Sequence, residues 1–177
     1  MGVSSIRLTP YFISYLILYF YMENKNKIKI RYCKPSELLK VISLTAEAYA
    51  VPYKSEGVIN SFHETLEKVK NDIDKGMKIL VAEKDNNLIG AVRFASIDAG
   101  KLKFGRLAVS SIHRHKGVGA KLINSVLEIA QEQNFKIVAL DVMEEKELVL
   151  FYEKFGFKVK SRKKHQNHHD IFMEKRI

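Results

Sequence analysis

A single cysteine, Cys33, among 177 residues rules out an intrachain disulfide and any zinc site built on cysteine pairs. It falls in a segment of strand character, where a small buried hydrophobe is expected rather than a nucleophile. Its isolation suits a reducing, cytoplasmic setting. Acidic residues are also scarce. Twenty Asp and Glu stand against 30 Lys and Arg, a net charge of +10 that favours anionic ligands, nucleic acid or acidic surfaces as partners. No apolar run reaches the ~20 residues that cross a bilayer as a helix. The most apolar run, residues 11–22, comes after a single charge, Arg7, and has no small-x-small cleavage site before Asn24. Met22-Glu23-Asn24-Lys25 reads as a natural protein start. Residues 1–22 are therefore expected to be an appended hydrophobic extension, and residues 23–177 a single domain. An authentic segment docking on the domain or on a partner is the alternative. The chain also lacks internal repeats and any linker-like stretch, and its length suffices for one buried core.

What is present alternates between two periods. Ile28, Ile30 and Tyr32 alternate with basic residues, as in a strand. Pro35-Ser36-Glu37 suits a helix start, with Leu38, Ile42, Thr45 and Tyr49 as its face. Residues 50–59, with Pro52 and Gly57, read as a loop. Ser61 and Glu64 form a capping-box pattern before the stripe Phe62, Leu66, Val69 and Ile73, which Gly76 ends. Three strands come next at 78–83, 88–97 and 101–109, joined by Asp85-Asn86-Asn87 and Asp98-Ala99-Gly100 turns. After a long helix come a buried strand at 135–142 and a helical stripe of Leu148, Phe151, Tyr152 and Phe155. A final hairpin is expected from 157–161 and 170–174, with a long basic loop between. The order is β-α-α-β-β-β-α-β-α-β-β. A helix between the fourth and fifth strands implies a right-handed parallel crossover in an otherwise antiparallel sheet.

The most informative stretch is the fourth strand together with the turn and helix after it. Leu107-Ala108-Val109 ends the strand, and Arg114-His115-Lys116 leads into Gly117-Val118-Gly119-Ala120. Val118, Leu122, Val126 and Ala130 then mark an amphipathic helix. The first N–H groups of a helix lack internal partners, and the helix dipole adds partial positive charge there. Glycines at that end let an anion approach the backbone, and the neighbouring basic side chains add charge-assisted contacts. The pattern predicts a phosphate or pyrophosphate site. A solvated basic turn is the plain alternative.

Arg114-His115-Lys116-Gly117-Val118-Gly119 resembles the R/Q-x-x-G-x-G/A signature of the GCN5-related N-acetyltransferases. Leu150-Phe151-Tyr152-Glu153-Lys154-Phe155-Gly156-Phe157 resembles that family's second signature. The likeness covers residues 27–177 and implies a mixed α/β acyl-CoA N-acyltransferase fold. Its one parallel strand pair would be splayed where the cofactor enters. It further implies an enzyme that moves the acetyl group of acetyl-CoA directly to a primary amine of unknown identity. Residues 114–120 would bind the pyrophosphate, and Leu107, Ala108 and Val109 the pantetheine arm. Gly105 would mark the strand's bulge, and Tyr152 would protonate the departing thiolate. Two positions depart from the family pattern: Glu145 stands where many members have asparagine, and Leu148 where alanine is common. These departures bear on the side-chain contact to the cofactor usual near residue 145, and not on the fold. The general base is open among Glu56, Glu64, Asp98, Asp141 and ordered water.

Rival readings fare worse. In a dinucleotide-binding unit the third glycine would stand at Leu122, and the motif would not come after antiparallel strands. A basic nucleic-acid- or ribosome-binding module could use Lys158, Lys160, Arg162, Lys163 and Lys164, yet no recognition motif accompanies them. A domain that only senses coenzyme A is a third possibility. His165, His168 and His169 lack a carboxylate at ligand spacing and read as a solvated loop, so no metal is expected. A monomer or homodimer, with no membrane span, completes the expectation.

Overall fold

The computed structural model describes residues 9–25, 27–50, 64–143, 146–164 and 169–177. Strands β1 (Lys29–Tyr32), β2 (Lys78–Lys84), β3 (Asn87–Asp98), β4 (Lys101–Val109), β5 (Ile137–Met143), β6 (Lys158–Lys164) and β7 (His169–Arg176) form one sheet. Its order is β1-β2-β3-β4-β5-β7-β6. Every pairing is antiparallel except β4–β5. Helices α2 (Leu38–Ala50), α3 (Leu66–Asp74), α4 (Val118–Glu132) and α5 (Lys146–Glu153) cover it, and α1 (Pro10–Lys25) precedes it. From β1 onward this is the element order the sequence predicts.

Both faces of the central strands are buried because helices cover both sides. Leu80, Ala82, Val92, Phe94, Leu102 and Phe104 pack with the α4 stripe Val118, Leu122, Val126 and Ala130. Ile79, Val81 and Ala91 face the other way and pack with Leu38, Val41 and Leu44 of α2 and Val69 of α3. The two sets alternate along each strand, as a period of two demands. Asp85 and Asn86 take φ of 50° and 62°, the backbone that tight hairpins require.

Four local expectations shift. The buried face of α2 is Leu38, Val41, Leu44, Thr45 and Ala48, rather than the Ile42/Tyr49 row. Residues 35–37 form a 3-10 turn ahead of α2, so the α-helical phase begins only at Leu38. Ser61 and Phe62 lie outside the described residues, as do Pro52, Gly57 and most of the expected loop. The N-cap of α3 is Thr65, whose hydroxyl accepts from the Lys68 N–H at 3.2 Å, so Glu64 stands outside the helix. The last hairpin is longer than expected: Arg162, Lys163 and Lys164 belong to β6 and pair with Ile171, Asp170 and His169.

Helix α1 carries Tyr11, Phe12, Ile13, Tyr15, Leu18 and Tyr19 exposed. No helix among the described residues is long and apolar enough to cross a membrane. Cys33 lies just past β1, half-buried, and its N–H donates to the Ile79 carbonyl at 2.9 Å. Burial, with the nearby Glu37 charge, pushes its thiol pKa up, so it is a poor nucleophile.

The start of the domain is pinned by charge. The Arg31 guanidinium on β1 binds Glu37 at 2.7 and 2.8 Å and also reaches Glu83 on β2. The Lys34 N–H donates to Glu37 at 2.9 Å. The Arg31 hydrogen bond, against the opposing effect of burial, lowers the Glu37 carboxyl from 4.5 to about 2. A depressed carboxylate pKa contributes stability above the unfolded value, and that stability disappears as pH falls toward the folded one. Glu37→Gln should therefore lower the urea midpoint at neutral pH. The gap from the parent protein should close progressively below pH 4.5. A gap independent of pH would remove this pair from the stability account.

Candidate active site

The site arises from how little β4 and β5 share. Their parallel pairing covers only Lys101–Ile137, Leu102–Val138 and Lys103–Ala139. Beyond it, β4 stays on β3 as far as Val109, and β5 stays on β7 as far as Met143. Each strand is held by its outer neighbour while the inner edges part. A cleft of about 1610 Å³ opens there, lined by β4, β5 and parts of α2–α5.

The bulge that turns β4 lies beside Gly105 rather than on it. Arg93 pairs with Gly105 and Ala91 with Ala108, so Arg106 and Leu107 together oppose Val92 alone. Arg106 takes φ of 52°, while a Cβ at Gly105 would meet nothing within 4 Å. Gly105 thus leaves space on the cleft wall, and Arg106 carries the bend.

Beyond the bulge the strand's polar groups divide. The Ser110 N–H donates to the Ile89 carbonyl at 3.0 Å, which turns the polar groups of Ser110 and Ala108 toward β3. Those of Leu107 and Val109 face the gap, by the alternation of strand backbone. The Leu107 carbonyl accepts from the Tyr49 hydroxyl at 3.1 Å, and the Val109 carbonyl from Arg114 Nε at 3.4 Å. Of the three predicted strand residues, two therefore present N–H groups to the cleft and Ala108 does not.

At the head of α4, Gly117 is the N-cap with φ of 78°. The first helical bond runs from the Lys121 N–H to the Gly117 carbonyl at 3.0 Å. The N–H groups of Val118, Gly119 and Ala120 precede it and point out of the helix end. His115 also takes a positive φ, 59°, and His115, Lys116 and Gly117 are exposed. Arg114 behaves differently from expectation. Its Nη2 donates to the Ala48 carbonyl at 2.7 Å, near the end of α2, so the side chain ties the turn to that helix. The helix end thus presents backbone N–H groups beside the exposed Lys116 and His115, with Arg114 bracing the turn.

Sequence reading missed Gly90. A Cβ there would stand 3.0 Å from Val118 Cγ1 and 3.1 Å from Leu122 Cδ1, so glycine lets the start of α4 press onto β3. The signal was a glycine inside an apolar strand, the same one that drew attention to Gly105.

Tyr152, on α5, is 9% exposed and lines the cleft. Its ring packs against Phe104 at 6.1 Å, Phe157 at 6.3 Å and Phe151 at 5.2 Å. It is a core tyrosine and a cleft residue at once. Phe151 also comes within 3.6 Å of where a Gly119 Cβ would sit, which seats α5 beside the head of α4.

On the opposite face of the sheet, Glu64 is buried between two arginines. Its carboxylate takes Arg93 Nη1 at 2.6 Å and Arg106 Nε at 3.1 Å. Burial alone would raise its pKa, but the Arg93 charge and the Arg106 hydrogen bond outweigh it and lower the value. Asp141 pairs with Lys103 on the cleft wall. Asp98 sits in the β3–β4 turn, holding the Gly100 N–H at 2.9 Å, and takes no part in the cleft. Glu56, Glu145, His165 and His168 lie outside the described residues, and His169 opens β7.

The model of the acetyltransferase (GNAT) domain matches residues 39–176. The PaiA N-acetyltransferase of Thermoplasma acidophilum, in complex with coenzyme A, is 29% identical with a TM-score of 0.73, over 85% of this chain and 99% of that one. The ribosomal-protein-S18-alanine N-acetyltransferase of Escherichia coli superposes with a TM-score of 0.73 at 12% identity, over 85% of this chain and 94% of that one. The ribosomal-protein-alanine N-acetyltransferase of Brucella melitensis does so with a TM-score of 0.66 at 17% identity, over 84% and 99%. The last two show likeness of fold alone. With the family domain matching most of this chain and the strand gap set beside the head of α4, this chain belongs to the GNAT acetyltransferases.

Proposed function

We propose that the protein is an acetyl-CoA-dependent N-acetyltransferase that passes the acetyl group directly to a primary amine in a ternary complex. The observation that carries this reading is the parting of β4 from β5 beside the N-terminal turn of α4. A coenzyme with a diphosphate and an amide-rich arm fits that arrangement. The N–H groups of Val118, Gly119 and Ala120, with Lys116 and His115, receive the diphosphate. The N–H groups of Leu107 and Val109 receive the arm's carbonyls, in the way a sheet accepts an added strand. Coenzyme A bound to the Thermoplasma relative is consistent with this.

Acetyl-CoA supplies an activated thioester, whose carbonyl carbon is attacked by the amine nitrogen while the carbon–sulfur bond breaks. Tyr152 gives its phenolic proton to the departing sulfur. Its aromatic surroundings hold the ring in place, so the hydroxyl meets the sulfur without first being ordered. The acceptor must shed a proton. Glu64 is a poor recipient: its pKa is lowered and both its oxygens are engaged by arginines. The proton leaves through water in the cleft instead.

Tyr152→Phe should cut turnover roughly a hundredfold, the scale of one lost general acid, with unchanged acetyl-CoA affinity by calorimetry. Equal turnover at saturating acceptor would take Tyr152 out of the reaction. Gly117→Glu places a side chain and a negative charge at the anion cradle, and should weaken acetyl-CoA binding at least tenfold. Undiminished affinity would overturn the cradle. Glu64→Gln should destabilise the fold by roughly 3 kcal/mol in urea, because it breaks a buried ion pair. Lost activity with stability intact would make Glu64 the base after all.

A further inference from the structure

The Glu64 cluster leaves a binding edge unused. Arg93 is 5% exposed, and only its Nη1 is engaged by Glu64, at 2.6 Å. Its Nε and Nη2 are sealed from solvent and have no hydrogen-bond partner among the described residues. Those two nitrogens form one edge of the guanidinium, with parallel N–H bonds that match the two oxygens of a carboxylate. Buried donors are rarely left unpaired in folded proteins, and such an orphan signals a missing partner.

The surroundings say where a partner enters. The residue directly across from Arg93 is Gly105 on β4, and directly opposed residues share a face. A Cβ at Gly105 would meet nothing within 4 Å, and both residues line the cleft. There is therefore room on the cleft wall at Gly105, next to the covered edge of the arginine. Arg93 lies screened from water, with Glu64 as its ion-pair partner among the described residues, so a further charge-assisted contact at its free edge counts for more there.

Resting on the N-acetyltransferase reading above, we propose that the acceptor is an amine that also carries a carboxylate, and that Arg93 is the residue that selects it. The carboxylate enters through the space over Gly105 and reaches the Nε/Nη2 edge as the groups covering it give way. The amine is thereby directed toward the gap between β4 and β5. A carboxylate offers two coplanar oxygens to that planar two-donor edge. A polyamine offers it no acceptor at all.

The test measures thiol release from acetyl-CoA with ω-amino acids from glycine to 6-aminohexanoate. Each is matched to the alkylamine of the same length, and diamines and phosphoethanolamine are run alongside. At one length or more, kcat/KM for the amino acid should exceed that of its alkylamine at least tenfold. Arg93→Met should bring that ratio close to one while acetyl-CoA affinity stays the same. Gly105→Ala, whose methyl group clashes with nothing, keeps the test sound should the arginine variant unfold. It should raise KM for the amino acids more than for the alkylamines. Acetyl-CoA binding combined with equal or better use of alkylamines, diamines or phosphoethanolamine overturns the carboxylate site and leaves the N-acetyltransferase reading standing. So does binding without turnover of any ω-amino acid. Failure to bind acetyl-CoA overturns the broader reading, and this one with it.

Discussion

Two neighbouring strands in this sheet can be fully paired only if each gives the other its inner edge, and β4 and β5 do so for three residue pairs. Past that point the ladder between them ends while both strands continue. What keeps an unzipped parallel pair from collapsing is that each strand is satisfied elsewhere. The β3–β4 ladder runs the length of β4, and β5 is matched residue for residue by β7. Unsatisfied backbone inside a protein is costly, so such an opening persists only where the freed groups have other partners. Tyr49 and Arg114 supply two of them, at the Leu107 and Val109 carbonyls.

The bulge at Arg106 and Leu107 connects this gap to the side chains that furnish it. By opposing two residues to one, it turns the end of β4 away from β5 and swings the Arg106 guanidinium onto Glu64. A non-glycine residue with positive φ needs support from its surroundings. The Glu64 carboxylate, shared with Arg93, provides it. Backbone shape and electrostatics at this point are one device. The same carboxylate that holds the bend is itself favoured in its ionised form by the two arginines it joins.

Much of this was legible in the sequence because it is local. The strand–turn–helix around residues 101–130 announces itself through period and glycine placement, and the crossover helix fixes β4 and β5 as parallel. What escaped depends on partners distant in the chain. Glu64 has the spacing of a capping box with Ser61, yet arginines at 93 and 106 claim it. Arg114 sits in a phosphate signature, yet the Ala48 carbonyl takes its guanidinium. Gly105 looks like the bulge and Arg106 is the bulge, because register is a property of two strands and not of one. The place of β7 between β5 and β6 has the same origin. A hairpin has two ways round, and its own residues do not name its neighbour.

The gap also makes the sheet a partition with a window. Even-numbered residues of β4, Leu102 and Phe104, face α4, and their neighbours Lys103 and Gly105 face Glu64 and Asp141. On the α4 side the walls are glycines, backbone N–H groups and an aromatic cluster around Tyr152. They suit a ligand recognised by generic features, a diphosphate and a chain of amides. On the other side the walls are charged residues drawn from α3, β3, β4 and β5. A donor common to a whole family needs only the first kind of wall, and its signature motifs lie there. On the reading proposed above, acceptor choice falls to the second, whose residues are scattered through the sequence and obey no short pattern. That division explains why the donor side reads easily from sequence. The acceptor proposed above rests instead on the unpaired edge of one buried arginine.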